Sequence, residues 1–148
     1  MKVALLAPTA YSKYSLAVAE LLRLNGVSVC LLIVPSMYNL KRIKVTWQRE
    51  GIDLLRKIWT KILLSHRDAV ETPLDQLMQS KGILYRPLPK YCDQHSIHYH
   101  PVQDLNSQQS ATAIYEHEVD LIVFTGGGLI RRELLDSVRI GILNCHWG

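Results

Sequence analysis

The 148-residue sequence lacks any long hydrophobic run. Its longer apolar stretches, such as VSVCLLIV at 27–34, fall far short of the ~20 residues that cross a bilayer, which excludes a spanning helix. A secretory leader is missing as well: MKVALLAP carries one lysine and then apolar residues, with no extended h-region or small-residue cleavage site, so it reads as a buried strand. Cysteine is scarce. Cys30, Cys92 and Cys145 form neither an even framework nor a CxxC pair, which argues against structural disulfides and fits reduced thiols in a cytoplasmic protein. Charged residues make up only 20% against 48% hydrophobic, outside the regime of disordered chains. This length is one domain's worth of chain, enough to bury about two thirds of the surface its unfolded form exposes.

Basic charge is present, and it is local. The net charge is +4, but residues 35–67 carry eight lysines and arginines against Glu50 and Asp53, a segment charge of +6 that leaves −2 for everything else.

The apolar pattern alternates between two periods. KVALLA (2–7) is a short continuous apolar run, LAVAELLRLNG has helical spacing and a glycine stop, and VSVCLLIV is β-branched and ends at Pro35. A strand–helix–strand unit with continuously apolar strands predicts a parallel sheet covered on both faces. From 35 to about 94 the strand alternation lapses; Ile52, Leu55, Ile58, Trp59, Ile62 and Leu63 predict an amphipathic helix over 48–64, within a helical, basic insertion. RPLPKYCDQHS (86–96) is proline-rich and predicts an irregular loop. Beyond it come a strand at 97–102, a helix capped by Ser107, a strand at 120–125, a glycine loop, a short helix over 131–137 and a strand at 140–146. The expected fold is α/β, Rossmann-like and doubly wound, with a mainly parallel sheet.

Five stretches could carry chemistry. In a strand, residues i and i+2 share a face, so Asn144 and His146 point the same way from the carboxyl end of a parallel strand, where open α/β sheets bind ligands. An amide donor beside an imidazole could hold an oxyanion and manage a proton, as acyl transfer requires; equally, the asparagine could cap a turn and the histidine be satisfied at the strand mouth. The glycines of FTGGGLI could cradle a phosphate, form a tight turn, or let a flat heterocycle hydrogen-bond to the backbone of Gly127, Gly128, Leu129 and Ile130. The loop after the first strand carries neither a GxGxxG fingerprint nor GxxxxGK[ST], which weakens dinucleotide and P-loop readings. Cys92, His95, His98 and His100 cluster, but their spacing matches no common zinc pattern, and no metal site is expected. The basic stretch 40–61, with Trp47 and Trp59, could contact RNA or be a solvated face. Ser12 and Lys13 sit in the first loop, at a candidate substrate mouth.

The run from Val102 to Gly148 resembles the middle of the formyltransferase family, which includes methionyl-tRNA, glycinamide ribonucleotide and sugar N-formyltransferases. The resemblance rests on LNS at 105–107 as the "INS"-like helix start, DLIV at 120–123, the GGGLI turn, and the N-x-H signature Asn144-Cys145-His146, in order over about 47 residues. It implies formyl transfer from 10-formyltetrahydrofolate to an acceptor amine. Asn144 would be the oxyanion donor and His146 the catalytic imidazole, and the backbone around Gly127 to Ile130 would form part of the pterin pocket. The family continues past N-x-H into a further strand carrying a catalytic Asp. Here Trp147 and Gly148 follow and the sequence ends, so the expectation is a domain cut within its catalytic motif, with little turnover by itself. The first loop departs from the family's phosphate-binding form, which argues against a glycinamide ribonucleotide acceptor, while the basic insertion keeps a nucleotide sugar or aminoacyl-tRNA in play. The alternative is a non-catalytic Rossmann-like module that binds a folate, a nucleotide or a partner.

Overall fold

The computed structural model describes residues 1–36 and 72–145. The expected amphipathic helix at 48–64, the basic stretch 40–61 and His146 lie outside the described residues.

Five parallel strands form one sheet: β1 (Lys2–Leu6), β2 (Ser28–Pro35), β3 (His98–Val102), β4 (Leu121–Phe124) and β5 (Gly141–Asn144), in the order β3-β2-β1-β4-β5. The α/β, Rossmann-like expectation holds. Between the strands lie α1 (Lys13–Leu24), α2 (Pro73–Ser80), α3 (Leu88–His95), α4 (Gln108–Glu116) and the single turn α5 (Arg132–Leu135). Strands buried on both faces must be apolar at every position, and this is why the first two read as unbroken hydrophobic runs. Val3, Leu5, Leu32, Val34 and Val123 pack on one face with Leu16 and Ala17 of α1 and Leu88 and Tyr91 of α3. Ala4, Leu6, Leu31, Ile33, Ile122 and Phe124 pack on the other with Ala113 and Ile114 of α4 and Leu134 of α5. Among the described residues, no helix is long and apolar enough to cross a membrane.

The helix ends follow local chemistry. Ser12 caps α1 by accepting from the Ser15 amide, and Ser107 caps α4 by accepting from the Ser110 amide, as its sequence predicts. Thr72 and Asp75 form a reciprocal capping box ahead of α2.

One expectation is corrected: the proline-rich stretch 86–96 is not an irregular loop but contains α3. Its prolines fall at the N-cap (Pro87) and in the first turn (Pro89), where a missing N–H costs nothing because those donors have no partner inside the helix. Leu88, Tyr91 and Cys92 supply a buried face at helical spacing, and Ser96 ends the helix in the left-handed region at φ 54°. The final part of the expected insertion therefore serves as the crossover that brings the chain to β3.

Candidate functional site at the carboxyl edge of the sheet

The strand order makes β1 a switch point. One crossover carries the chain from β1 through α1 to β2, and a later one returns it from β3 through α4 to β4 on the other side of β1. The loops leaving β1 and β4 thus diverge at the carboxyl edge, where such sheets open a crevice. The two loops run close together at their bases: a Cβ placed on Gly126 would lie 3.5 Å from Cβ of Pro8 and 2.9 Å from the Phe124 ring, so a larger residue there would have to displace that ring.

Hydroxyl groups stitch the crevice floor. The Thr125 hydroxyl lies 3.0 Å from the Leu6 carbonyl and 2.8 Å from the Ser15 hydroxyl, which lies 2.8 Å from Oγ of Ser12. Thr125 and Ser15 are both buried, and each has found the partners that burial demands. The β1–α1 loop is braced from outside: the Leu88 amide donates to the Ala10 carbonyl at 2.8 Å, and the Tyr85 hydroxyl donates to the Tyr11 carbonyl at 3.2 Å. Lys13 is engaged at this mouth, 3.1 Å from Asp75 and 5.7 Å above the Tyr85 ring. Hydrogen bonds from Thr72 first, then Lys13, hold the Asp75 carboxyl down at about 2.

The candidate pterin loop is shaped by a residue that the sequence marks only as part of a helix-start motif. Nδ2 of Asn106 donates to the Leu129 carbonyl at 3.0 Å, while its Oδ1 accepts from the Arg131 amide at 2.7 Å. One planar amide thereby fixes the backbone on either side of Ile130. Gly128 takes φ +114°, closed to residues with a Cβ, and Leu129 stands out at 89% exposure. Gly127 and Gly128 are exposed, and Ile130 packs at the margin of the α4–α5 face.

Asn144 ends β5, exposed and paired in register with Phe124 of β4. Strand alternation puts it on the Ile142 side, the face on which Ile130 and Leu134 also lie. The five candidates Gly127, Gly128, Leu129, Ile130 and Asn144 therefore belong to the carboxyl end of the β4–β5 pair, with Ile130 and Asn144 on one face of it. Their partner His146 lies outside the described residues. Cys145, between them, is anchored at both ends of its backbone: its amide donates to the Phe124 carbonyl at 2.9 Å, and its carbonyl accepts from the Tyr14 hydroxyl. Burial raises the Cys145 thiol above its ordinary value, which disfavours the nucleophilic thiolate.

The histidines gather elsewhere. On edge strand β3 the His98 and His100 rings are 5.9 Å apart, and His117, at the end of α4, lies 4.7 Å from His98. Among the described residues, no group of three or more His, Cys, Asp or Glu side chains is arranged to hold a metal ion. A cleft of about 550 Å³ lined by Tyr115, Glu118, Asp120 and Arg139 opens at the amino-terminal edge, at the opposite end of the sheet from the glycine loop and Asn144.

Asn106, Tyr14 and the Ser15–Thr125 pair were not legible as site residues. Their contacts join positions 23 to 131 residues apart, and no spacing rule signals these. Neither the protein-family models nor the curated proteins compared with this sequence match it.

Proposed function

We propose that this chain forms the formyl-donor side of an enzyme that transfers a formyl group from 10-formyltetrahydrofolate to an acceptor amine. The observation that carries the reading is the register of β4 with β5. Phe124 pairs with Asn144, so the start of the glycine loop and Asn144 stand at the same level of neighbouring strands. The backbone of Gly127 to Ile130 would hydrogen-bond the edge of the pterin. The amine nitrogen attacks the formyl carbon, and the carbonyl oxygen becomes an oxyanion that the Asn144 amide stabilises. Collapse breaks the bond from carbon to N10 of the folate; N10 gains a proton and the attacking amine loses one, a transfer that the resemblance assigns to the His146 imidazole. The acceptor would be a nucleotide sugar or an aminoacyl-tRNA, and the basic stretch 40–61 suits an anionic partner such as RNA.

The test uses the protein expressed from its complete reading frame, incubated with 10-formyltetrahydrofolate and candidate amines while tetrahydrofolate release is followed. Asn144→Ala and His146→Ala should each lose roughly 10²-fold or more in rate, the usual cost of an oxyanion donor. Wild-type rates in both would refute the assignment. Folate binding without transfer to any amine would favour a non-catalytic binding module.

A further inference from the structure

We propose that Asn106 is a positioning residue for the formyl donor: its side-chain amide holds the loop after β4 in a ligand-ready form before any ligand arrives. The role in donor binding rests on the proposed formyl transfer; the hold on the loop does not.

Burial does little to hold this loop. Gly127 and Gly128 have no side chain and are exposed, and Leu129 projects into water at 89% exposure. Gly128 takes φ +114°, and glycine gives up more conformational freedom on ordering than any other residue. Among the described residues, the hydrogen bonds that reach the stretch from Gly127 to the Arg131 amide from elsewhere in the fold come from one side chain. Nδ2 of Asn106 donates to the Leu129 carbonyl at 3.0 Å, and its Oδ1 accepts from the Arg131 amide at 2.7 Å.

The two partners dictate the residue. A carbonyl needs a donor and an amide N–H needs an acceptor, and a primary amide offers both on one planar group, whereas a carboxylate only accepts. Asn106 is itself well anchored: its backbone amide donates to Oδ1 of Asp104 at 3.0 Å, the Ser107 amide donates to the Asp104 carbonyl at 3.0 Å, and α4 beyond them buries Ala113 and Ile114 in the core. Rigidity therefore passes from the helix through one amide to the loop. The tie uses the Leu129 carbonyl and the Arg131 N–H, and among the described residues it leaves the backbone groups of Gly127, Gly128 and Ile130 without a hydrogen-bond partner. Those are the groups that the proposed function directs at the pterin edge. A ligand that meets them already in place does not have to order the loop as it binds.

In the protein from the complete reading frame, Asn106→Ala should raise the Kd and the KM for 10-formyltetrahydrofolate about 10-fold, since only the fraction of molecules with the loop in place binds. At saturating donor, kcat and the acceptor KM should stay near wild type. Ser107→Ala controls for stability alone: it removes the α4 cap and weakens the helix, but keeps the Asp104 contact and the Asn106 amide. Its donor affinity should stay near wild type at a comparable loss of melting temperature. Independently of any ligand, the ¹⁵N order parameters of the Gly127, Gly128 and Leu129 amides should drop from about 0.85 in the wild type to below about 0.6 in Asn106→Ala.

Unmoved order parameters overturn the hold on the loop. A loosened loop with wild-type donor affinity overturns the positioning role, and if Asn144→Ala is slow in the same assay the proposed function stands. Donor affinity lost equally in Ser107→Ala assigns the effect to the stability of α4 and overturns the role as well. A wild-type protein that binds no folate overturns the proposed function and the role in donor binding, while the order parameters still decide the hold on the loop.

Discussion

Strand β1 lies in the middle of the sheet with Val3 to Leu6 fully buried, whereas β5 lies at the edge with Leu143 51% exposed and Asn144 exposed beside it. Each is a short parallel strand ending at the same crevice. β1 has a hydrogen-bonded strand on either side and packed helices on both faces, so ladder and burial together hold it. Among the described residues β5 has one neighbour, and the helix before it is a single turn. Directed hydrogen bonds hold its end: the Cys145 amide donates to the Phe124 carbonyl and the Tyr14 hydroxyl donates to the Cys145 carbonyl, with Asn106 holding the loop beside it. The molecule thus separates stability from site geometry. Burial supplies the first and side-chain hydrogen bonds supply the second, so the two should fail under different substitutions.

The sharpest way to break that contrast is to cut a leucine in each strand. Leu5→Ala on β1 removes a fully buried side chain and should cost about 2–5 kcal/mol of unfolding free energy, measured by urea denaturation. Leu143→Ala on β5 should cost about 0.5 kcal/mol or less, because half of that side chain is already in water. Equal losses would mean that β5 belongs to the same packed unit as β1.

A smaller effect should follow at the loop. Asn106→Ala removes both bonds that fix the backbone around Ile130, each worth about 1 kcal/mol net, and the part-exposed position allows water to replace some of that. Hydrogen exchange at the Arg131 amide should accelerate while the Thr125 amide, bonded to the Leu6 carbonyl, keeps its protection. Asn106→Asp should preserve the acceptor for Arg131 and lose only the donor to Leu129. If Arg131 exchange is unaffected by Asn106→Ala, the loop is held by something else.

These contrasts also explain what the sequence could and could not disclose. The strands were legible because two-sided burial writes itself as uninterrupted apolar runs, and the Ser107 cap because capping is a contact over three residues. The α3 helix was misread because Pro87 and Pro89 suggest a loop unless they happen to fall in a first turn, and only the buried spacing of Leu88, Tyr91 and Cys92 decides between the two. The candidates in the loop after β4 and at the end of β5 could be nominated because they form a motif in one stretch of chain. The residues that hold them could not, since Tyr14 reaches Cys145 only after α1 has been packed against the sheet.

The opposite edge of the sheet offers the smallest effect and a check on whether edges in general depend on directed groups. His100 on β3 is half-buried, and burial first, then the neighbouring His98 and His117, push its imidazole below the ordinary value, with Glu116 opposing. A histidine whose folded value is depressed binds protons less readily than in the unfolded chain. Its contribution is therefore fully present well above the unfolded value of 6.5 and is lost as pH falls below it. Folded Glu20, held down at about 2 chiefly by Arg23, stays ionised throughout that window and does not mimic the effect. Melting temperatures at pH 8 and pH 5 should show wild type losing more stability than His100→Gln, by a margin well below the Leu5 effect because the group is partly solvated. The same drop in both proteins would assign the pH dependence to groups other than His100.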